Sequence, residues 1–320
     1  MTNVLIILTL PETVRNRYYD HLRQTFPDLA VTMVDHPAKA DPHIATADVL
    51  VTFGVQIADH ADALFAKAGR LKWIQALGTG IDSLIDQPAL CPDVLITNLH
   101  GIHGPAMSEA ALLAMLSLSR DWPRALRNQD RQRWERWPGR LLNGKTVGIL
   151  GIGAIAADLA PKCRALGMRV VGITSAKREL PGLDRVYWRD ELTQAVRELD
   201  HFVILTPYSP ETRGIVGRAV LAAMKPKAYL INLARGGVVD EDALVEAMTA
   251  GRLAGAALDV FTKEPLPDSH PLWRLNNVII TPHLGGFHDT YVDDALPVIE
   301  ENMRRFLAGD TRNMINLVKR

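Results

Sequence analysis

Cysteine is scarce in this chain: of 320 residues only Cys91 and Cys163 are cysteines. They share no CxxC or Cys/His spacing, which removes a disulfide framework and a cysteine-based zinc site, so no metal is expected. A reduced, cytoplasmic setting is the expectation. Excess charge is also missing, since 36 Lys+Arg balance 36 Asp+Glu. That excludes the electrostatic footprint of a nucleic-acid binder or of a protein drawn to an anionic membrane. No apolar run approaches the roughly 18–20 residues needed to span a bilayer. Residues 4–10 are apolar, but they lack a basic flank and a small-residue cleavage site and stop at Pro11-Glu12. They therefore read as a buried first strand and not as a secretory signal. Repeats of solenoid period and low-complexity tracts are absent as well.

What is present is an alternation of short apolar runs with amphipathic stretches. Residues 4–8, 30–34, 49–53, 73–76 and 94–97 read as strands, and 12–24 and 59–67 have helical spacing. A long helix is expected over 105–120, with Pro105 at its start where the missing N–H does no harm. The alternation restarts after Lys145 with six apolar strands: TVGILG, MRVVGIT, HFVILTP, AYLINLA, GAALDVF and NVIITP. Residues 241–250 and 291–307 are helical again. Near-continuous apolar strands separated by helices predict α/β architecture with parallel sheets covered on both faces. The length suits two domains. We expect a discontinuous domain from 1–99 plus 287–320 and a continuous nucleotide-binding domain from 100–286.

The segment RNQDRQRWERWPGR interleaves arginine with tryptophan. Such a mixture suits single-stranded nucleic acid or an arm packed at a subunit interface. The neutral chain favours the arm.

Gly151-Ile152-Gly153-Ala154-Ile155-Ala156 fits GxGxxA between a strand and a helix. The first glycine permits the tight turn, the second lets backbone approach a pyrophosphate, and the third position needs only a small residue. Phosphate would rest against N–H groups at the helix start. Pro161, about two turns into that helix, should remove a hydrogen bond or cause a kink. An NAD-selective site ordinarily carries an acid about 20 residues on, at the end of the second strand. Here that strand ends GITSAKRE, placing Thr174 and Ser175 at the position with Lys177 and Arg178 behind. Hydroxyls and cations accommodate a 2′-phosphate, which favours NADP(H) over NAD(H).

Arg235 in NLARGGVVD, Glu264 in DVFTKEPLP and His283 in TPHLGG each follow an apolar run. An imidazole titrates near neutrality and suits proton transfer to an oxygen. A carboxylate beside it would stabilise the imidazolium, and a guanidinium can hold and polarise an acid through its planar fork. Ligands in doubly wound sheets bind at the carboxyl ends of strands, where all three residues fall.

With these residues in place, the chain resembles the D-isomer-specific 2-hydroxyacid dehydrogenase family over nearly its whole length, most densely between Gly78 and Gly286. The resemblance implies a flavodoxin-like substrate domain and a Rossmann domain with a cleft between them, usually dimeric through the nucleotide domain. LGTGID resembles the family's carboxylate-binding loop, implying that Thr79 and Gly80 grip substrate through backbone N–H groups. Arg235 would bind substrate, Glu264 assist, and His283 serve as acid/base and substrate contact. TPYSPETRG resembles a family loop that adds Thr206, Pro207 and Thr212 to the cofactor contacts, with Ala234, Gly285 and Asp259, the last near the nicotinamide carboxamide. TNLHGIHGPAMSEAAL resembles the hinge.

Two features depart from the pattern. Ala110 follows Glu109 where members often have a second histidine, and His288 is an addition, either lining the pocket or beginning the final helix. The implied activity is hydride transfer between NAD(P)H and a small 2-keto acid, with glyoxylate or hydroxypyruvate as first candidates. The alternatives are a nucleotide-sensing co-repressor-like protein on the same fold and a dehydrogenase of another small anion.

Overall fold

The computed structural model describes residues 1–85, 87–176 and 180–319. The chain divides into two compact units, residues 1–102 with 289–320 and residues 103–288.

The first unit is built on five strands, β1 (Asn3–Ile7), β2 (Ala30–Val34), β3 (Val49–Thr52), β4 (Trp73–Ala76) and β5 (Leu95–Thr97), all parallel in the order β2-β1-β3-β4-β5. Both faces of β1, β3 and β4 are buried, which explains why these strands are apolar without alternation. Helices Glu12–Thr25 and Tyr291–Leu307 cover one face, their Tyr18, Leu22, Tyr291, Ile299 and Met303 packing with Val4, Ile6 and Trp73. On the other face the single helix expected over 59–67 is three short pieces, Gly54–Ile57, Ala58–His60 and Ala61–Phe65. Their buried positions are Gly54, Ile57, Ala61, Leu64 and Phe65, so the helical period starts five residues early. The chain breaks at Ile57 (φ −109, ψ 0).

A buried polar network ties the C-terminal segment to this sheet. Thr97 Oγ1 accepts from Trp73 Nε1 at 2.9 Å and donates to Gln75 Oε1 at 2.8 Å. Asn302 Nδ2 donates to the same Gln75 oxygen, and Asn302 Oδ1 accepts the Ile315 N–H at 2.6 Å. Beyond it, Leu317 forms an antiparallel bridge to Thr97, and the Val318 N–H donates to the Ile96 carbonyl at 2.8 Å. The outer edge of β5 is thereby covered.

The second unit has seven parallel strands, β6 (Thr146–Leu150), β7 (Arg169–Thr174), β8 (Arg185–Trp188), β9 (His201–Ile204), β10 (Tyr229–Asn232), β11 (Gly255–Leu258) and β12 (Val278–Ile280). Their order is β12-β11-β10-β9-β6-β7-β8. The sequence marks six of these. β8 escapes because only Tyr187 of RVYW is buried, leaving no apolar run to read. Helices Gly104–Arg120 and Ala154–Ala165 pack on one face, through Ala111, Met115, Ala156, Leu159 and Cys163. The second of these continues through Pro161 to Ala165. Ser108, Asp158 and Lys162 join the two helices: Lys162 Nζ donates to Ser108 Oγ at 2.5 Å and to Asp158 Oδ2 at 2.6 Å. The helix expected at Pro105 begins at Gly104, and the final helix begins at Tyr291, so His288 lies outside it. Among the described residues no helix is long and apolar enough to cross a membrane, and no cluster of His, Cys, Asp and Glu could hold a metal ion.

Candidate active site

β6 leaves the sheet centre towards β7 on one side, while β9 lies on its other side, so its carboxyl end is a topological switch point. Gly151 makes the turn there at φ 98, its N–H donating to the Ile173 carbonyl at 2.9 Å. A Cβ would lie 2.7 Å from Thr206 N, so conformation and space both require glycine. Gly153 is the N-cap of the next helix, and no side chain caps it. A Cβ on Gly153 would meet nothing within 4 Å. Backbone N–H groups at a helix start, with an open approach, fit a dinucleotide pyrophosphate. Ile152 is buried beneath the turn, Ile155 is half-buried and Ala154 is exposed.

At the end of β7, buried Thr174 turns its hydroxyl onto its own loop, accepting the Ala176 N–H at 3.2 Å and donating to the Ala176 carbonyl at 3.1 Å. Ser175 is exposed. Lys177 lies outside the described residues. After β9, Thr206 is buried and Pro207 exposed. Thr212 is also buried; its hydroxyl donates to the Pro207 carbonyl and accepts the Ser209 N–H, both at 2.8 Å, which closes the loop on itself.

Arg235 follows β10. Buried Asn232 shapes the turn: its Oδ1 accepts the Ala234 N–H at 3.1 Å and its Nδ2 donates to the Arg235 carbonyl at 3.0 Å. Ala234 is buried, and its carbonyl accepts from Arg235 Nη1 at 2.7 Å. The next residue, Gly236, lies against the backbone that follows β11, where a Cβ would come within 1.9 Å of the Phe261 carbonyl carbon. No other residue fits at that spacing.

Asp259, one residue past β11, is buried and uses both carboxylate oxygens on the loop after β12. Oδ1 accepts from Thr281 Oγ1 at 2.5 Å and from the Leu284 N–H at 2.8 Å, and Oδ2 accepts the Gly285 N–H at 2.8 Å. The Asp259 carbonyl takes the His283 N–H at 2.9 Å. The ring of His283 therefore leaves a loop fixed at four points. Its Nδ1 lies 2.8 Å from Glu264 Oε2, while Glu264 Oε1 accepts the Phe261 N–H at 3.0 Å. Burial pushes the Glu264 carboxyl up, but the His283 hydrogen bond and charge, the Phe261 N–H and the Arg235 charge outweigh it and hold the group below the usual carboxylate range.

The structure thus sets Arg235, Glu264 and His283 beyond the carboxyl ends of adjacent strands β10, β11 and β12. Thr79 and Gly80 belong to the first unit, in the loop after β4, where the Thr79 carbonyl accepts from Asn98 Nδ2 at 2.9 Å. Asn232 and Thr281 lie inside the quoted motifs, but the sequence gives them no role. Asn232 shapes its own turn through residues two and three positions on, whereas Thr281 meets Asp259 across 22 positions, a pairing that the strand order creates.

Residues 112–285 match the family model described as the D-isomer specific 2-hydroxyacid dehydrogenase, NAD binding domain. The chain is 33% identical over 254 residues to glyoxylate/hydroxypyruvate reductase A of Serratia proteamaculans, covering 78% of this chain and 80% of that protein. It is also 33% identical over 282 residues to D-3-phosphoglycerate dehydrogenase of Methanocaldococcus jannaschii, covering 86% of this chain; the chain spans about half, 52%, of that relative's length. A D-isomer specific 2-hydroxyacid dehydrogenase from Xanthobacter autotrophicus, solved in complex with NADPH and MES, superposes with a TM-score of 0.82 at 30% identity, covering 100% of this chain and 98% of the other.

Proposed function

The chain belongs to the D-isomer-specific 2-hydroxyacid dehydrogenase family, and from that premise we propose that it reduces a small 2-keto acid to the D-2-hydroxy acid with NADPH. The arrangement of Arg235, Glu264 and His283 at the same carboxyl edge of the sheet as the Gly151 turn carries this reading. Gly151 to Ile155, Thr206, Pro207 and Ala234 would hold the dinucleotide, with Thr174 and Ser175 at its ribose. When bound, the nicotinamide supplies a hydride to the carbonyl carbon. Arg235 binds the substrate carboxylate or carbonyl through its fork. His283 donates the proton from Nε2 to the carbonyl oxygen, because Nδ1–H is engaged by Glu264. Glu264 stays ionised, fixes the tautomer and stabilises the imidazolium. Asp259 and Gly285 hold the His283 loop in register with the nicotinamide side of the site.

Glyoxylate and hydroxypyruvate are the proposed substrates, supported by the Serratia relative's activity. NADPH is preferred because the sequence has no acid from Thr174 until Glu179, and the Xanthobacter relative was solved with NADPH. The deciding assay mixes the protein with NADPH or NADH and a panel of 2-keto acids and follows loss of reduced-nicotinamide absorbance. Turnover of either substrate with NADPH at lower KM than NADH supports the proposal; silence across the panel while NADPH still binds refutes it.

A further inference from the structure

One stretch of backbone joins the parts of the candidate active site, and it is held by a residue outside that set. The Phe261–Thr262 peptide meets Gly236 of the Arg235 turn: a Cβ there would lie 1.9 Å from its carbon, 2.2 Å from its oxygen and 2.2 Å from its nitrogen. The preceding N–H, that of Phe261, donates to Glu264 Oε1 at 3.0 Å. The Arg235 turn and the Glu264 carboxylate therefore both rest on the Phe261 backbone, one on each side of its Cα. The N–H of the Phe261–Thr262 peptide, that of Thr262, donates to Glu241 Oε2 at 3.0 Å.

Glu241 opens the helix Glu241–Thr249, whose N-cap Asp240 accepts the Ala243 N–H at 3.0 Å. Its other oxygen faces His270, with Nε2 lying 3.4 Å from Glu241 Oε1. His270 Nδ1 accepts the Leu272 N–H at 3.3 Å, so in the neutral ring the proton sits on Nε2 and points to the carboxylate. Both side chains are largely buried, 17% and 18% exposed.

We infer that Glu241, backed by His270, is a positioning residue for the reaction: through the Thr262 N–H it sets the backbone on which the Arg235 turn and the Glu264 carboxylate rest. This rests on reading Arg235, Glu264 and His283 as the catalytic set. A carboxylate in a first helical turn also interacts favourably with the helix dipole wherever its tip points. Reach and charge therefore have to be separated.

Glu241→Asp keeps the charge but shortens the side chain by one methylene, so it cannot reach Thr262. Glu241→Gln keeps the reach and an acceptor oxygen but loses the charge. Both are tested in NADPH-dependent glyoxylate reduction across pH, with NADPH affinity and thermal midpoint measured alongside. For E241D we expect kcat to fall about tenfold, part of the ~10²-fold that a 1 Å misplacement of a catalytic group can cost. Its pH profile for kcat/KM should shift while NADPH affinity stays at the parent value. E241Q should lie within about threefold of the parent, the amide oxygen restoring the contact. The opposite order, parent-like behaviour of both variants, or losses confined to NADPH affinity or thermal midpoint would each overturn the assignment. His283→Gln serves as the reference. Normal turnover in H283Q would remove the underlying reading, whereas a dead H283Q beside a parent-like E241D removes this inference alone.

Discussion

His283 holds its backbone at φ 55, in the left-handed region that non-glycine residues rarely adopt. It is kept there by its own N–H on the Asp259 carbonyl and by the neighbouring N–H groups on the Asp259 carboxylate. Local strain sustained by its surroundings is typical of a position chosen for where it aims a side chain. His283→Gln should therefore lower kcat by about 10²–10⁴, the usual contribution of a general acid. NADPH binding, followed by fluorescence titration, should remain near the parent value; near-normal turnover would discredit the acid/base role. Gly236 makes a sharper steric case. Gly236→Ala places a methyl 1.9 Å from the Phe261 carbonyl carbon, so the Arg235 turn or the strand-end backbone must move. We expect a loss of about 1–3 kcal/mol in stability from overpacking, read as an earlier urea midpoint, together with a fall in kcat/KM. Unchanged values for both would show that the backbone yields freely there.

At the scale of elements, strand β9 begins with a buried imidazole. His201 stacks on Tyr229 with ring centroids 5.1 Å apart, and its Nε2 lies 3.4 Å from Ser119 Oγ. Burial pushes its pKa down to about 4; the charge of Asp200 opposes this shift, while Arg140 and Lys145 reinforce it. The fold therefore holds the ring neutral. As pH drops from the ordinary 6.5 towards about 4, the unfolded chain takes up a proton that the folded chain refuses, and stability falls by about 3 kcal/mol. Above that window the penalty is absent. Urea unfolding at pH 7 and pH 5 should show the loss, and His201→Phe should flatten it; an equal slope in the variant would assign the effect elsewhere. Elements were legible where burial left a pattern. β6, β9 and β10 are buried along almost their full length and read directly as apolar runs. β8 buries one side chain in four and did not. The same distinction separates the site from its supports. Arg235, Glu264 and His283 each follow an apolar run, so the sequence brings them forward. Glu241 meets Thr262 across 21 positions, and Asp259 meets Gly285 across 26, pairings that arise only from sheet order.

For the whole molecule, the second unit exposes Leu113 and Leu116 on the helix Gly104–Arg120, Trp122 and Leu126 on the helix Trp122–Asp130, and Trp134 at 95% exposure. Apolar side chains concentrated on one stretch of a neutral chain suit association with a second copy, and a homodimer through residues 113–134 is the proposed state. Leu113→Glu combined with Trp134→Ser should give a monomer by light scattering, against a dimer for the parent; identical masses would place any interface elsewhere. The first unit manages its exposed backbone differently. Leu317 and Val318 lie along β5 and occupy hydrogen-bonding groups that would otherwise be free to template another sheet. The C-terminal segment therefore also governs colloidal behaviour. Proteolytic nicking just before Ile315 would turn a closed sheet margin into an adhesive one, and clipped preparations should become turbid on storage at concentrations where intact protein stays clear.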